Sequence, residues 1–283
     1  MSSLETTTTK TCYRHPSRET GVSCSNCDRP ICTDCMTTTP VGMRCPECAK
    51  QKTKVKTMGS FVSEPRVTYF LIAACAIAFL GSGNFGFGSG GGNGLYERGA
   101  LFGPAVDNGE PWRLLTSGFL HGGTLHILFN MYLLYLLGTM LEPTLGNVRF
   151  TVLYFTALLA GSFGALLQTT QSGTVGASGA VFGLMGAAFV AQRRRGVNPM
   201  QTNIGGLIML NLVISFLPGF NISWGGHIGG LIGGALAALA LEFGNRRGVP
   251  RWAGIALCVV IAVACVAASI AVSGSPGLTD PSS

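Results

Sequence analysis

Charge is what this sequence has least of. Only 11% of its 283 residues are charged, against about 25% in an ordinary soluble domain. Hydrophobic residues make up 47% of the chain and the mean hydropathy is +0.42. That balance excludes a soluble globular protein and predicts a polytopic membrane protein. Carboxylates are the scarcer ions, 12 against 19 Lys and Arg, leaving a net charge of +7. Taken alone, an excess of positive charge would fit nucleic-acid binding. No apolar run lies near the start, so no signal peptide is expected.

What is abundant is apolar sequence in long runs. Seven spans are predicted, at roughly 66–82, 124–142, 148–168, 177–192, 203–218, 224–242 and 252–273. Each is near the ~20 residues a helix needs to cross the hydrocarbon. The fourth and fifth are short and glycine-bearing, so their ends are the least defined. The last is uniformly apolar and carries no polar chemistry, so it reads as an addition to a set of six. The one long connection, 83–123, opens in a glycine-rich tract.

Lys and Arg in the loops set the orientation. With the N-terminus in the cytoplasm, the inside segments hold the ten positives up to Arg66, together with Arg149, Arg193 to Arg195, Arg246, Arg247 and Arg251. The outside segments hold only Arg98 and Arg113. The same asymmetry accounts for the net charge, so no nucleic-acid partner is expected.

Polar groups in hydrocarbon are costly and need a reason. His126, Asn130, Ser178 and His227 each sit near the start of a span that runs from outside to inside. All four therefore fall at one depth, toward the external face. A membrane Ser commonly packs or bonds back to its own helix, and Asn and His commonly bridge helices. The combination points elsewhere. A Ser becomes a nucleophile when a base lies within hydrogen-bond reach, and His227 supplies one at matching depth. His126 and Asn130 are four residues apart on one helix face and can donate toward a single point, as an oxyanion hole requires. Glycines flank Ser178 (Gly176, Gly179, Gly183, Gly186) and His227 (Gly225, Gly226, Gly229, Gly230, Gly233, Gly234). Such spacing lets helix backbones approach closely.

Other absences narrow the chemistry. There is no His-Glu-x-x-His, which excludes a zinc-dependent intramembrane protease, and no Asp inside a span, which excludes a two-aspartate one. Glu142 and Glu242 lie at the cytoplasmic ends of their spans, away from His227. The expectation is a Ser–His dyad that needs no catalytic cofactor.

Residues 66–242 resemble the six-helix core of rhomboid proteases. The resemblance rests on Trp112-Arg113, on His121-Gly-Gly-Thr-Leu-His126-Ile-Leu-Phe-Asn130, on Gly176-Ala-Ser178-Gly179 and on His227 with its trailing glycines. It implies hydrolysis of peptide bonds in or beside transmembrane helices of substrate proteins. Ser178 would be the nucleophile and His227 the general base; the Ser178 N–H, His126 and Asn130 would bind the oxyanion. Trp112 and Arg113 would anchor the first loop at the membrane interface. Phe182 stands where similar proteins often have Tyr, stacked on the catalytic His. The expected site is a cavity open to the outside of the plasma membrane, covered by the 218–223 connection.

The N-terminal region carries a second pattern: Cys12-x2-His15, Cys24-x2-Cys27, Cys32-x2-Cys35 and Cys45-x2-Cys48. Four such pairs are a strong metal signal, and eight ligands fit two tetrahedral zinc ions. A cytoplasmic location disfavours disulfides. About forty residues bury too little core to fold alone, so metal would supply the folding free energy. No ligand position is left open, so both ions read as structural. The pattern resembles a B-box-type finger. That resemblance implies cross-brace pairing, with Cys12, His15, Cys32 and Cys35 on one ion and Cys24, Cys27, Cys45 and Cys48 on the other; sequential pairing is the alternative. Such modules bind proteins, here a cytoplasmic partner.

The predicted order is a disordered tail (1–11), a zinc-binding module (12–48), a basic linker (49–65), the six-helix core (66–242), an additional transmembrane helix (252–273) and a polar tail (274–283). The competing readings are a non-proteolytic rhomboid-like protein that binds membrane helices, and a zinc-finger adaptor for which the spans are an anchor.

Overall fold

A computed structural model of the chain describes residues 10–50, 64–86, 93–217, 222–246 and 248–280. Most of the expected N-terminal tail and basic linker, and residues 218–221 of the expected cap, lie outside the described residues. The chain divides into two units, Met1–Phe61 and Val62–Ser283.

The first unit is built from little regular structure. Strands β1 (Lys10–Thr11) and β2 (Glu19–Thr20) pair antiparallel, as do β3 (Thr37–Thr39) and β4 (Gly42–Arg44), and helix α1 (Pro46–Lys50) follows. The ordered module thus begins at Lys10, because Lys10 and Thr11 pair with Thr20 and Glu19; those two residues do not belong to a disordered tail. Its buried core is Ile31 and six cysteines. A core made of thiols offers little hydrophobic stabilisation for a module this small.

The second unit is helical and multi-pass. Its long helices are α2 (Arg66–Ser82), and, beyond three short loop helices α3 (Gly94–Gly99), α4 (Gly103–Asp107) and α5 (Arg113–Thr116), α6 (Thr124–Leu145), α7 (Asn147–Gln168), α8 (Ser178–Arg194), α9 (Asn203–Ser215), α10 (Trp224–Phe243) and α11 (Arg251–Ser273). Helices α6, α7, α10 and α11 are long and apolar enough to cross a membrane, and α2 and α9 are shorter apolar helices. Helix α8 passes neither description: it has 17 residues and its last turn carries Gln192, Arg193 and Arg194. Ten of its residues, from Gly179 to Ala188, are buried without a break, so it touches protein on most sides. The fifth helix ends at Ser215 and not at 218.

Glycine seams decide the packing. Helix α10 lies against both α7 and α8. A Cβ on Gly230 would fall 2.0 Å from the Gly179 carbonyl, one on Gly234 2.1 Å from the Gly183 carbonyl, and one on Gly164 2.2 Å from the Gly225 carbonyl. Side chains at these positions would force the helices apart, so backbone-to-backbone contact is possible only because they are absent. Elsewhere one carboxylate holds a helix start. Glu142, fully buried on α6, accepts the backbone N–H groups of Val67 and Thr68 at 2.8 Å each and the Thr68 hydroxyl at 2.7 Å. It satisfies orphan donors at the α2 N-terminus and complements the helix dipole.

Candidate functional site

The site is built where the starts of α6, α8 and α10 meet. Before α8 the chain turns at Gly176, with φ +128°, a conformation that side chains rarely tolerate. A Cβ there would lie 2.8 Å from His126 Nε2, and 3.7 Å from Ser178 Oγ. The backbone at Gly176 is therefore the floor on which the His126 ring and the Ser178 hydroxyl converge. Ser178 is the first residue of α8. The N–H groups of a first helical turn have no partner within their own helix and present positive charge. The Ser178 side chain is partly exposed, and its hydroxyl hydrogen-bonds to none of the described residues, His227 included. Catalytic hydrogen bonds are often long before substrate binds.

His126 has a defined proton arrangement. Its Nδ1 accepts the Gly122 N–H at 3.3 Å, so in the neutral ring the proton is on Nε2, the atom facing Gly176. Asn130 is buried and donates one amide N–H back to the His126 carbonyl at 2.9 Å. Its second N–H remains for another acceptor. His121 is fully buried and packs edge-on against His126 with centroids 5.2 Å apart.

His227 lies in the first turn of α10. Phe182, one turn beyond Ser178 on α8, stacks on its ring with centroids 4.1 Å apart and planes 17° from parallel. Its Nδ1 is 2.6 Å from the Ser215 hydroxyl of α9. The start of α10 is itself capped: Ser223 Oγ accepts the Gly226 N–H, and Gln168 Oε1 accepts the Gly225 N–H at 2.8 Å. Ser215 and Gln168 were not legible as site residues. One polar residue at the end of an apolar span reads as ordinary helix packing unless its partner is known.

Arg113 is buried in the first loop. It donates to the Glu97 and Ala100 carbonyls at 2.6 and 2.8 Å and pairs with Glu110. Trp112 beside it is exposed.

The first unit contains two clusters that could hold metal ions: Cys12, His15, Cys32 and Cys35, and Cys24, Cys27, Cys45 and Cys48. Within each, the donor atoms lie within 4.8 Å of one another. First and third pairs combine, as do second and fourth, which is the crossed arrangement and not the sequential one. A tetrahedral zinc ion requires edges of about 3.8 Å between sulfurs and about 3.5 Å from sulfur to nitrogen. Cys27 Sγ and Cys45 Sγ are 3.8 Å apart, and His15 Nδ1 is 3.3 to 3.9 Å from Cys32, Cys35 and Cys12. The thiols also compete for charge. Within the first cluster, against the effect of burial, backbone groups of Arg14, Cys32 and His15 hold Cys12 down to about 6, while burial and the neighbouring Cys32 and Cys12 push Cys35 up to about 11. Crowded thiolates repel one another, and a divalent cation at the centre removes that conflict.

Residues 108–242 match the family model described as the rhomboid domain. The rhomboid protease GluP of Bacillus subtilis (strain 168) is 38% identical over 161 residues, which cover 54% of this chain and 31% of that protein. Rhomboid-like protease 1 of Toxoplasma gondii is 36% identical over 150 residues, half of each chain. YdcA of Bacillus subtilis, also named for rhomboid proteases, is 36% identical over 147 residues, half of this chain and 73% of that protein. The matched stretch spans about a third to a half of the first two relatives. With the helices, the glycine seams and the convergence at Gly176 in place, the chain belongs to the rhomboid family.

Proposed function

We propose that this protein is an intramembrane serine endopeptidase acting on transmembrane helices of membrane proteins. The observation that carries the reading is the pairing of two histidines with opposite faces. His126 presents an N–H toward Gly176 and the Ser178 hydroxyl, and His227 has its Nδ1 engaged elsewhere, which leaves its Nε2 for the nucleophile.

Ser178 Oγ attacks the scissile carbonyl carbon and its proton passes to His227 Nε2. The oxyanion is received by the Ser178 N–H at the α8 start, by His126 Nε2–H and by the free N–H of Asn130. His227 then protonates the leaving amine as the C–N bond breaks. Water entering from the open side hydrolyses the acyl ester, with His227 again as base, and restores Ser178. The partial exposure of Ser178 supports water access.

The N-terminus and metal module face the cytoplasm, as the loop charges require, and the site opens to the external face of the plasma membrane. The module holds two structural zinc ions and serves a protein partner. Purified protein in liposomes with a helix-containing substrate tests the enzyme reading. Wild type should cleave, and Ser178→Ala and His227→Ala should lose cleavage by about 10⁴-fold or more. Equal cleavage by wild type and Ser178→Ala would overturn Ser178 as nucleophile, and no cleavage by either protein with a range of substrates would favour a helix-binding protein without protease activity.

A further inference from the structure

Ser215 is placed to decide the chemistry of His227. Its side chain is buried at the end of α9, and its Oγ has two near neighbours: the Asn211 carbonyl oxygen at 2.6 Å and His227 Nδ1 at 2.6 Å. A hydroxyl has one proton to donate. Given to Nδ1, it would leave two oxygens facing each other at 2.6 Å with no proton between them. Given to the Asn211 carbonyl, it leaves an Oγ lone pair that accepts Nδ1–H. Only the second arrangement satisfies all three groups.

From this we infer that Ser215 is a positioning residue that holds His227 in the tautomer protonated on Nδ1, so that the Nε2 lone pair is available as the base. The inference rests on the reading of His227 as general base. It extends the expected dyad by a third, neutral member on a helix that carries no other part of the site. The bond back to Asn211, ordinarily a bland feature of membrane serines, is here what commits the hydroxyl to accept. The ring is then held from three directions: by its own helix α10, by Phe182 of α8 against its face, and by Ser215 of α9 at Nδ1. Phe216 and Trp224 stack across the same α9–α10 junction, centroids 5.8 Å apart, so the bond does not depend on one flexible contact. A hydroxyl acceptor fixes the tautomer without burying a carboxylate beside the membrane interior, where charge is costly.

Loss of an orienting acceptor in a Ser–His–Asp triad costs about 10⁴ in kcat through the wrong tautomer. A neutral acceptor whose ring partner stays stacked should matter less. Ser215→Ala is expected to lower kcat by about 10- to 100-fold with KM within about twofold, and Ser215→Thr, which keeps the hydroxyl, to restore most of it. The direct readout is the ¹⁵N spectrum of His227 in the full-length Ser178→Ala protein in detergent micelles. A protonated Nδ1 and bare Nε2 are expected, becoming a mixture when Ser215→Ala is added. A spectrum with the proton on Nε2, or wild-type kcat in Ser215→Ala, would overturn the inference; the spectrum needs no Ser215 variant, so a misfolded variant does not shield it. If His227→Ala still cleaves, the base reading fails instead, whatever Ser215 does.

Discussion

At the scale of single residues, hydrogen-bond direction separates two chemically identical imidazoles. His126 accepts at Nδ1 from Gly122 and can only donate at Nε2. On the proposed function, in which its Nε2–H receives the oxyanion, His126→Ala should lower kcat by about 10² to 10³ with little change in KM. Asn130 already commits one N–H to the His126 carbonyl, so steady-state kinetics of Asn130→Ala should show a smaller fall. Gly176→Ala should resemble loss of His126, since the added methyl meets Nε2 at 2.8 Å on a backbone held at φ +128°. Ordinary Ala and Val side chains at nearby Ala177 and Val175 carry no such constraint, so Val175→Ala is the matched control for cleavage assays.

Elements set these residues in place through contacts that run far along the chain. Replacing Gly230 or Gly234 with Val should separate α8 from α10 and abolish cleavage, and cysteine crosslinking between the two helices should fall in parallel. Glu142→Gln removes the charge and one acceptor oxygen from a buried site that receives three donors. Leaving a buried donor unpaired costs about 1–3 kcal/mol, to be read as a lowered midpoint of thermal unfolding. The polar tail after α11 is a further fixed element. Asp280 accepts from the Thr169 hydroxyl, from the Thr170 N–H and hydroxyl and from the Gly277 N–H, while Leu278 and Thr279 donate to the Leu167 and Gln168 carbonyls. The Thr169 hydroxyl leads the groups that hold the Asp280 carboxyl well below its usual range. A lowered folded value means the clamp is fully present above the ordinary carboxylate range near 4 and is lost as pH falls through the folded value. Asp280→Asn should thus speed hydrogen exchange at Leu278 and Thr279 at pH 7, and wild type should approach that rate only in strong acid.

For the whole molecule, the two units depend on different physics. The membrane unit is held by close-packed helices, and the N-terminal unit has two groups of four residues that could hold metal ions. Chelation of purified protein should release two zinc ions per chain and unfold residues 10–50, read by loss of dispersed NMR signals from that region. The thermal transition of the helical unit should stay where it was. A single shared transition would show that the metal stabilises both.

Much was determined by sequence alone. The apolar helices and the Cys/His pairs follow from local spacing and hydropathy, which leave marks along the chain. Hydropathy placed the fourth helix at 177–192, and α8 runs Ser178–Arg194, but the unbroken burial of Gly179 to Ala188 was not legible from it. What only the tertiary structure decided lies between elements: the Glu142 cap on α2, the Asp280 clamp, and the contact of Ser215 with His227. Each joins groups from separate segments, and the donor or acceptor role of a side chain is settled by a partner that no spacing rule can name.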